Sequence, residues 1–392
     1  MVEWLFPLVV AGGALIPKFR KMNELQKIEQ VFSNLNFSVR DEKGDRHFPK
    51  LTNKENTDAF RRYDFRLPLG LTLDKPLRLK MSDILSKTLN STVEVEGEGD
   101  MTVWIFKQKM PEKWNYKDLP ATNEEGLLVP VGKTHKDVVY HDFDKIPHMT
   151  IAGTTRWGKT VFTKVAFTHL IEKYPEDVEF YILDLKGGLE YHKFRHLKQV
   201  KAIASDVETA HMVLSHIHDE ILSDMEKFKE KGYTNVLDSP IKRRRFIIVD
   251  EGAELTPDKS DEKEIKKLRG QCQQYLSNIA RISGALGYRL IFATQYPTAD
   301  TLPRQIKQNA DAKISFRLPT GYASQVALDE EGAEELDTVG RAIYRTHEKQ
   351  IAQVPYISDN EMWERLRGYA IYDSNEKSDE VETMEQDIIK FG

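Results

Sequence analysis

The chain has 392 residues, with 57 Lys and Arg against 62 Asp and Glu, and a net charge of −5. That length exceeds the usual single domain, so two compact units or one large α/β unit with additions are expected, and the charge excludes an overall basic surface for nucleic acid. A single cysteine, Cys272, excludes an internal disulfide framework and a cysteine zinc cluster, and reads as a small buried hydrophobe.

In chain order, residues 1–21 form a hydrophobic N-terminal segment. The run "WLFPLVVAGGALIP" from Trp4 to Pro17 carries no charge and is followed by Lys18, Arg20 and Lys21. It is shorter than the roughly 20 residues a comfortable span needs. It reads either as a membrane anchor, with the basic flank holding the rest in the cytoplasm, or as an interfacial or partner-buried segment.

Residues 22–120 read as a small α+β domain. Leu25, Ile28, Val31, Phe32 and Leu35 have helical spacing, and "LRLKMSDILSKTLN" is a second helix. "YDFRLPLGLT" and "STVEVEGEGDMTVWIFKQKM" are strand-like, with Gly-Glu-Gly-Asp as a turn. No chemistry is visible there, so an assembly role is expected. Over 121–362 short apolar runs alternate with helical stretches: "HMTIAG", "VEFYILDLKG", "RRRFIIVDEGAEL", "YRLIFATQ", "DAKISFRL" and "RAIYRT". That texture predicts a doubly wound α/β unit on a mostly parallel sheet. Residues 363–392 are acidic and poor in aromatics, as in a partly disordered tail.

The chemistry concentrates at four strand ends. Gly153, Gly158, Lys159 and Thr160 satisfy G-x-x-x-x-G-K-[ST] between a strand and a helix, where backbone N–H groups face phosphates. The expected nucleotide contacts are Gly153, Thr154, Thr155, Arg156, Trp157, Gly158, Lys159, Thr160 and Val161. Lys159 would neutralise the β/γ oxygens of ATP and the Thr160 hydroxyl would reach Mg²⁺. Arg156 and Trp157 are large for such a loop; Arg156 is expected to face the phosphates or a neighbouring subunit, and Trp157 to pack beside the nucleotide or beneath the loop. "FIIVDEGAEL" ends a strand with Asp250, suited to the metal shell, and Glu251, suited to polarising the attacking water. "LIFATQ" places Thr294 and Gln295 at another end, where the amide can hold the γ-phosphate or the water, and "FYILDLK" adds Asp184 and Lys186. No Asn-Lys-x-Asp stretch reads guanine, and the acid pair favours water as acceptor.

These residues resemble the motor domain of the FtsK/SpoIIIE family of DNA-translocating ATPases. The likeness rests on "PHMTIAGTTRWGKT", "VPVGKT", "YILDLKGGLEY", "VDEGAEL", "GYRLIFATQYPTADTLPRQIKQNADAKISFRL" and "LDEEGAEEL", in family order over about residues 127–360. It implies a RecA-like P-loop ATPase, ATP and Mg²⁺ as cofactors, and a ring, hexameric in the family, with DNA in its pore. Departures are Gly284 where the family has arginine, and Gln325 where an arginine crosses the subunit boundary. Arg317, Lys313, Arg341 and Arg345 remain as candidates for that contact, with Arg317 favoured.

The motor ends near the end of the chain, which implies no orienting winged-helix domain. The layout resembles the coupling ATPases of conjugative elements and plasmids, with a relaxase or other DNA-processing partner. A protein-secretion ATPase and a nucleotide-gated adaptor are the alternatives. "KRRRF", from Lys242 to Phe246, reads either as a solvated entry to a strand or as a DNA contact.

Overall fold

The computed structural model describes residues 22–97, 99–122, 125–188 and 190–371. The hydrophobic segment 1–21 and residues 372–392 of the acidic stretch lie outside the described residues. Among the described residues, no helix is long and apolar enough to cross a membrane. The chain divides between Lys109 and Met110. The division falls before the expected boundary at residue 120 because Trp114 and Asn115 pair with Pro355 and Tyr356 inside the second unit.

In the first unit, helix α1 (Glu24–Asn34) begins at a reciprocal cap: Gln26 N–H donates to the Asn23 side chain while Asn23 N–H donates to that of Gln26. Strands β1 (Val39–Arg40) and β2 (Arg46–His47) make a short ribbon. β3 (Lys50–Asn56), β4 (Phe60–Arg66), helix α2 (Lys75–Leu89), β5 (Thr92–Glu96) and β6 (Met101–Phe106) follow. The four longer strands form an antiparallel sheet in the order β3-β4-β6-β5. Alternate residues Tyr63, Phe65, Val93, Val95, Met101, Val103 and Ile105 face the helices and meet Ile28, Phe32, Met81 and Leu85 in one core.

The second unit carries β7 (Trp114–Asn115), β8 (Leu128–Lys133), β9 (Val138–Asp142), β10 (Met149–Ala152), α3 (Lys159–Lys173), β11 (Val178–Leu183), β12 (Val200–Ala204) and α4 (Val207–Lys231). It continues with β13 (Arg244–Val249), α5 (Lys263–Ile282), β14 (Tyr288–Thr294), α6 (Arg304–Asn309), β15 (Ala312–Ser315) and α7 (Gly321–Leu328). β16 (Arg341–Arg345), β17 (Lys349–Gln353), β18 (Pro355–Tyr356) and α8 (Asp359–Leu366) complete it. Ten strands form one sheet in the order β12-β11-β13-β14-β10-β15-β16-β17-β8-β9. From β12 to β15 every neighbour is parallel; from β15 to β9 every neighbour is antiparallel. "RAIYRT", taken as part of the parallel texture, is thus the antiparallel strand β16, since a short strand with three apolar residues, Ala342 to Tyr344, does not encode the direction of its partner.

The parallel half is covered on both faces, which is why its strands read as unbroken apolar runs. Phe180, Ile182, Phe246 and Ile248 point to one side with Phe162, Val165 and Phe167 of α3. Tyr181, Leu183, Ile247 and Val249 point to the other with Leu214 and Ile217 of α4 and Cys272 and Leu276 of α5. Cys272 is fully buried and its thiol is pushed up to about 12 by that burial, so it serves as packing. Helix α8 runs through Leu366, past the point where the acidic tail was expected to start at residue 363.

A buried ionic cluster closes the strand-entry end of the sheet. Asp144 accepts from Arg244 Nε at 2.7 Å and from Arg289 Nη2 at 2.7 Å. Arg245 pairs with Asp224 at 2.8 Å and Arg243 with Glu179 at 3.5 Å. The arginines of "KRRRF" are therefore engaged in internal ion pairs that start β13.

Beside this cluster, His148 accepts the N–H of Leu290 at 3.0 Å, and His141 bonds the Tyr344 hydroxyl at 2.9 Å. Burial, with the Arg289 charge adding, drives both imidazoles down to about 3 from 6.5. In that window the unfolded chain binds the protons, so the stability these groups contribute is present above 6.5 and lost as pH falls below it. The denaturant midpoint should therefore drop between about pH 7.5 and about pH 5. An unchanged midpoint over that interval would contradict the buried neutral state of both rings.

Candidate nucleotide site

The loop from Gly153 to Gly158 joins β10 to α3 as the spacing predicts. Its glycines are fixed by one side chain. A Cβ on Gly153 would lie 2.7 Å from Cβ of Phe316, and one on Gly158 would lie 2.8 Å from its Cε1. Phe316, the residue after β15 and fully buried, is therefore the floor on which the loop rests. Gly158 also needs its φ of +119° to cap α3. Arg156 stands in the left-handed region at φ +68°, a conformation that costs a side-chain-bearing residue about 1–2 kcal/mol. Its side chain is exposed. The first-turn N–H groups of α3 have no intrahelical acceptors and open on the cleft, as an anion requires.

That cleft has a volume of about 660 Å³, within the usual range for a small-molecule site. Thr154, Thr155, Arg156, Gly158, Lys159, Thr160 and Val161 line it, as do Lys186, Asp250 and Gln295. Gly153 and Trp157, expected among the nucleotide contacts, lie behind the wall. Trp157 packs on the main core, and the Arg317 guanidinium stacks over its ring at 5.0 Å. Arg317 also donates to the Leu336 carbonyl at 2.9 Å, and its own carbonyl accepts from Thr154 N–H and hydroxyl. The residue expected to reach across a subunit boundary thus braces the loop of its own chain. Lys313 and Arg345 both pair with Asp329 at 3.4 Å. Arg341 donates to the Pro111 carbonyl, holding segment 111–113 beside the cleft. Gln325 donates to the Asp329 carbonyl at the end of α7.

Three strand ends meet in the cleft. Lys159 is nearly fully buried and sits 3.3 Å from Asp250 Oδ1 while donating to the Asp250 carbonyl. Glu251 takes the Thr294 hydroxyl at 2.9 Å and the Gln295 N–H at 3.0 Å on one oxygen, and Lys186 at 3.0 Å on the other. The Gln295 side chain accepts from the Thr155 hydroxyl at 3.1 Å, which links β14 to the loop. Asp184, fully buried, accepts the N–H groups of Glu190 and Tyr191 at 3.0 Å each. Burial raises its carboxyl, with the nearby Asp250 charge adding, against those backbone bonds.

Asp250 and Thr160 both face the cleft, and a hydroxyl with a carboxylate is a donor pair for a small hard cation that keeps most of its waters. Among the described residues no group of three or more His, Cys, Asp or Glu could hold a metal unaided. The pair therefore fits Mg²⁺ arriving with a polyphosphate.

The far wall was not legible beforehand. It consists of Glu112 and Lys113 before β7, Val339 and Gly340 before β16, and Pro355 and Tyr356 of β18. The Lys113 ammonium lies 4.5 Å from the centre of the Tyr356 ring, which is 41% exposed. A separate groove of about 620 Å³ runs beside β12, lined by Gly188, Arg195 and Lys201 among others, and includes none of the cleft carboxylates.

Residues 117–245 match the sequence pattern of the FtsK/SpoIIIE family. The chain is 28% identical over 261 residues to a DNA translocase FtsK of Chlorobaculum tepidum, covering 61% of this chain and 31% of that protein. It is 30% identical over 333 residues to the DNA translocase FtsK of Lactiplantibacillus plantarum, covering 77% and 40% respectively. The chain thus spans less than half the length of these relatives. Its fold resembles that of TcpA, the pCW3 conjugation coupling protein, whose structure in monomer form is with ATPγS: TM-score 0.62, 23% identity, 88% of this chain and 99% of that one. It also resembles the cytoplasmic domain of the Thermomonospora curvata type VII secretion ATPase EccC, with TM-score 0.54 and 20% identity over 67% of this chain and 33% of that one. Ordered motifs, relatives and fold agree: the α/β unit of this chain is similar to the FtsK/SpoIIIE family, whose pattern it matches over residues 117–245.

Proposed function

We propose that this chain is an ATP-hydrolysing DNA translocase that works as a ring, hexameric by family resemblance, in conjugative or plasmid transfer. One observation carries the reading: the phosphate loop, Asp250 and Gln295 converge on a single cleft, with the buried Glu251 directly behind them, bonded to the lining residues Gln295 and Lys186. Lys159 and the α3 N-terminus would take the β- and γ-phosphates, and Thr160 and Asp250 would hold Mg²⁺, which draws charge from the phosphate oxygens. Glu251 accepts the proton of a water whose oxygen bonds to the γ-phosphorus as the bond to the β–γ bridging oxygen breaks. Gln295, bonded to Thr155, senses the loss of that phosphate and passes it into β14.

The fold alone serves DNA motors and protein motors equally. The translocase relatives favour DNA. The purified chain should hydrolyse ATP faster with duplex or single-stranded DNA. A rate indifferent to both would sink the translocase reading and favour a protein-moving motor or an adaptor.

The wall around Tyr356 supplies a platform for the base, since its exposed ring offers a stacking face. Stacking of a base on an aromatic side chain contributes about 1–3 kcal/mol. Tyr356→Ala should weaken ATP binding roughly tenfold while leaving binding of inorganic tripolyphosphate, which has no base, unchanged. Equal losses for both ligands would place the effect in the loop instead.

A further inference from the structure

Glu251 is the group proposed to accept the water's proton, yet its carboxylate is fully engaged. Gln295 N–H reaches both oxygens, at 3.0 and 3.2 Å, Thr294 fills one, and Lys186 closes the other. Two of these three partners are placed by β14, Thr294 as its buried last residue and Gln295 as the next, whose N–H is a backbone group fixed by the strand end. The third, Lys186, can leave.

Lys186 also lines the cleft together with Lys159 and Thr160, and its side chain is 32% exposed against 5% for Glu251. Its backbone is held: Asp184 ties down Glu190 and Tyr191, and the Gly188 N–H returns to the Asp184 carbonyl at 3.2 Å. Gly187 and Gly188 turn the chain immediately after it, at φ +82° and +73°. A fixed Cα with a flexible four-carbon stem lets an ammonium exchange anions without backbone movement.

Resting on the nucleotide reading of the cleft, we infer that Lys186 is a positioning residue that senses the γ-phosphate. With a triphosphate bound, its ammonium moves from Glu251 to the γ-phosphate oxygens, and one Glu251 oxygen is freed to accept from the attacking water. With a diphosphate it returns and caps the carboxylate again. The exchange ties arming of the base to the nucleotide that needs it.

The test compares binding of ADP and ATPγS by the full chain, as wild type, Lys186→Met and Lys186→Arg. Losing a hydrogen bond to a charged group corresponds to roughly a 10- to 100-fold change. Lys186→Met should lose that much affinity for ATPγS with ADP unchanged, and Lys186→Arg should restore most of the preference for ATPγS. Unchanged ADP binding also reports an intact loop. Equal effects on the two nucleotides, or none on either, would overturn the inference. If wild type binds neither nucleotide, the reading of the cleft fails first and the inference with it.

Discussion

Replacing Glu251 with glutamine should lower ATP turnover by roughly 10²- to 10⁴-fold, the usual contribution of a positioned general base, and leave ATP binding intact. The geometry states why binding survives. Glutamine keeps the side chain's shape and a carbonyl oxygen for the Thr294 hydroxyl and the Gln295 N–H, at 2.9 and 3.0 Å in the native site. Lys159, Thr160 and the loop glycines are untouched. The amide, however, cannot take a proton from water. Steady-state hydrolysis with equilibrium ATP binding checks both halves. Loss of binding along with turnover would mean that Glu251 holds the site's shape, and turnover near the wild-type rate would remove it from the chemistry.

The largest expected effect on stability lies at the other end of the sheet. Asp144→Ala removes the carboxylate that faces two guanidinium groups, of Arg244 and Arg289, and the Arg289 side chain is 1% exposed. Burial raises the Asp144 carboxyl, but the hydrogen bonds and charges of both arginines outweigh it and hold it below the ordinary range. Breaking one partner out of a buried pair costs about 3–5 kcal/mol, because a buried charge is left uncompensated. Asp144→Asn should cost less, since an amide oxygen still accepts one bond from each side. Denaturant unfolding of the two variants measures the difference. An alanine variant within about 0.5 kcal/mol of wild type, the range of an ordinary surface change, would show that the arginines find other partners.

Much of the α/β unit was readable because its signals are local. The loop consensus spans Gly153 to Thr160 and lies between an apolar run and a helical stretch. Asp250, Glu251 and Gln295 each end an apolar strand, and parallel neighbours β13 and β14 bring those ends together. The unread parts depend on residues far apart in sequence. Lys186 meets Glu251, and Arg317 covers Trp157, only after the sheet is assembled. Nothing in "FRLP" distinguishes Phe316 as the floor of the loop; the two glycines that need it carry the only hint, a demand for close approach. Strand β3, "KLTNKEN", was missed for another reason: it is almost wholly exposed and lacks apolar alternation, so its pairing with β4 alone makes it a strand.

Arg156 and Trp157 are accommodated for different reasons. The arginine is exposed, and the tryptophan turns away from the cleft to the core under Arg317. Bulk at these positions therefore leaves the phosphate-facing backbone open.

The most direct measurement is ATP-driven displacement of a third strand annealed near one end of a linear duplex. The wild-type protein should strip that strand with ATP, fail with ATPγS, and fail as Glu251→Gln. If the third strand stays in place while ATP is hydrolysed at the same rate with and without DNA, the protein does not move along DNA.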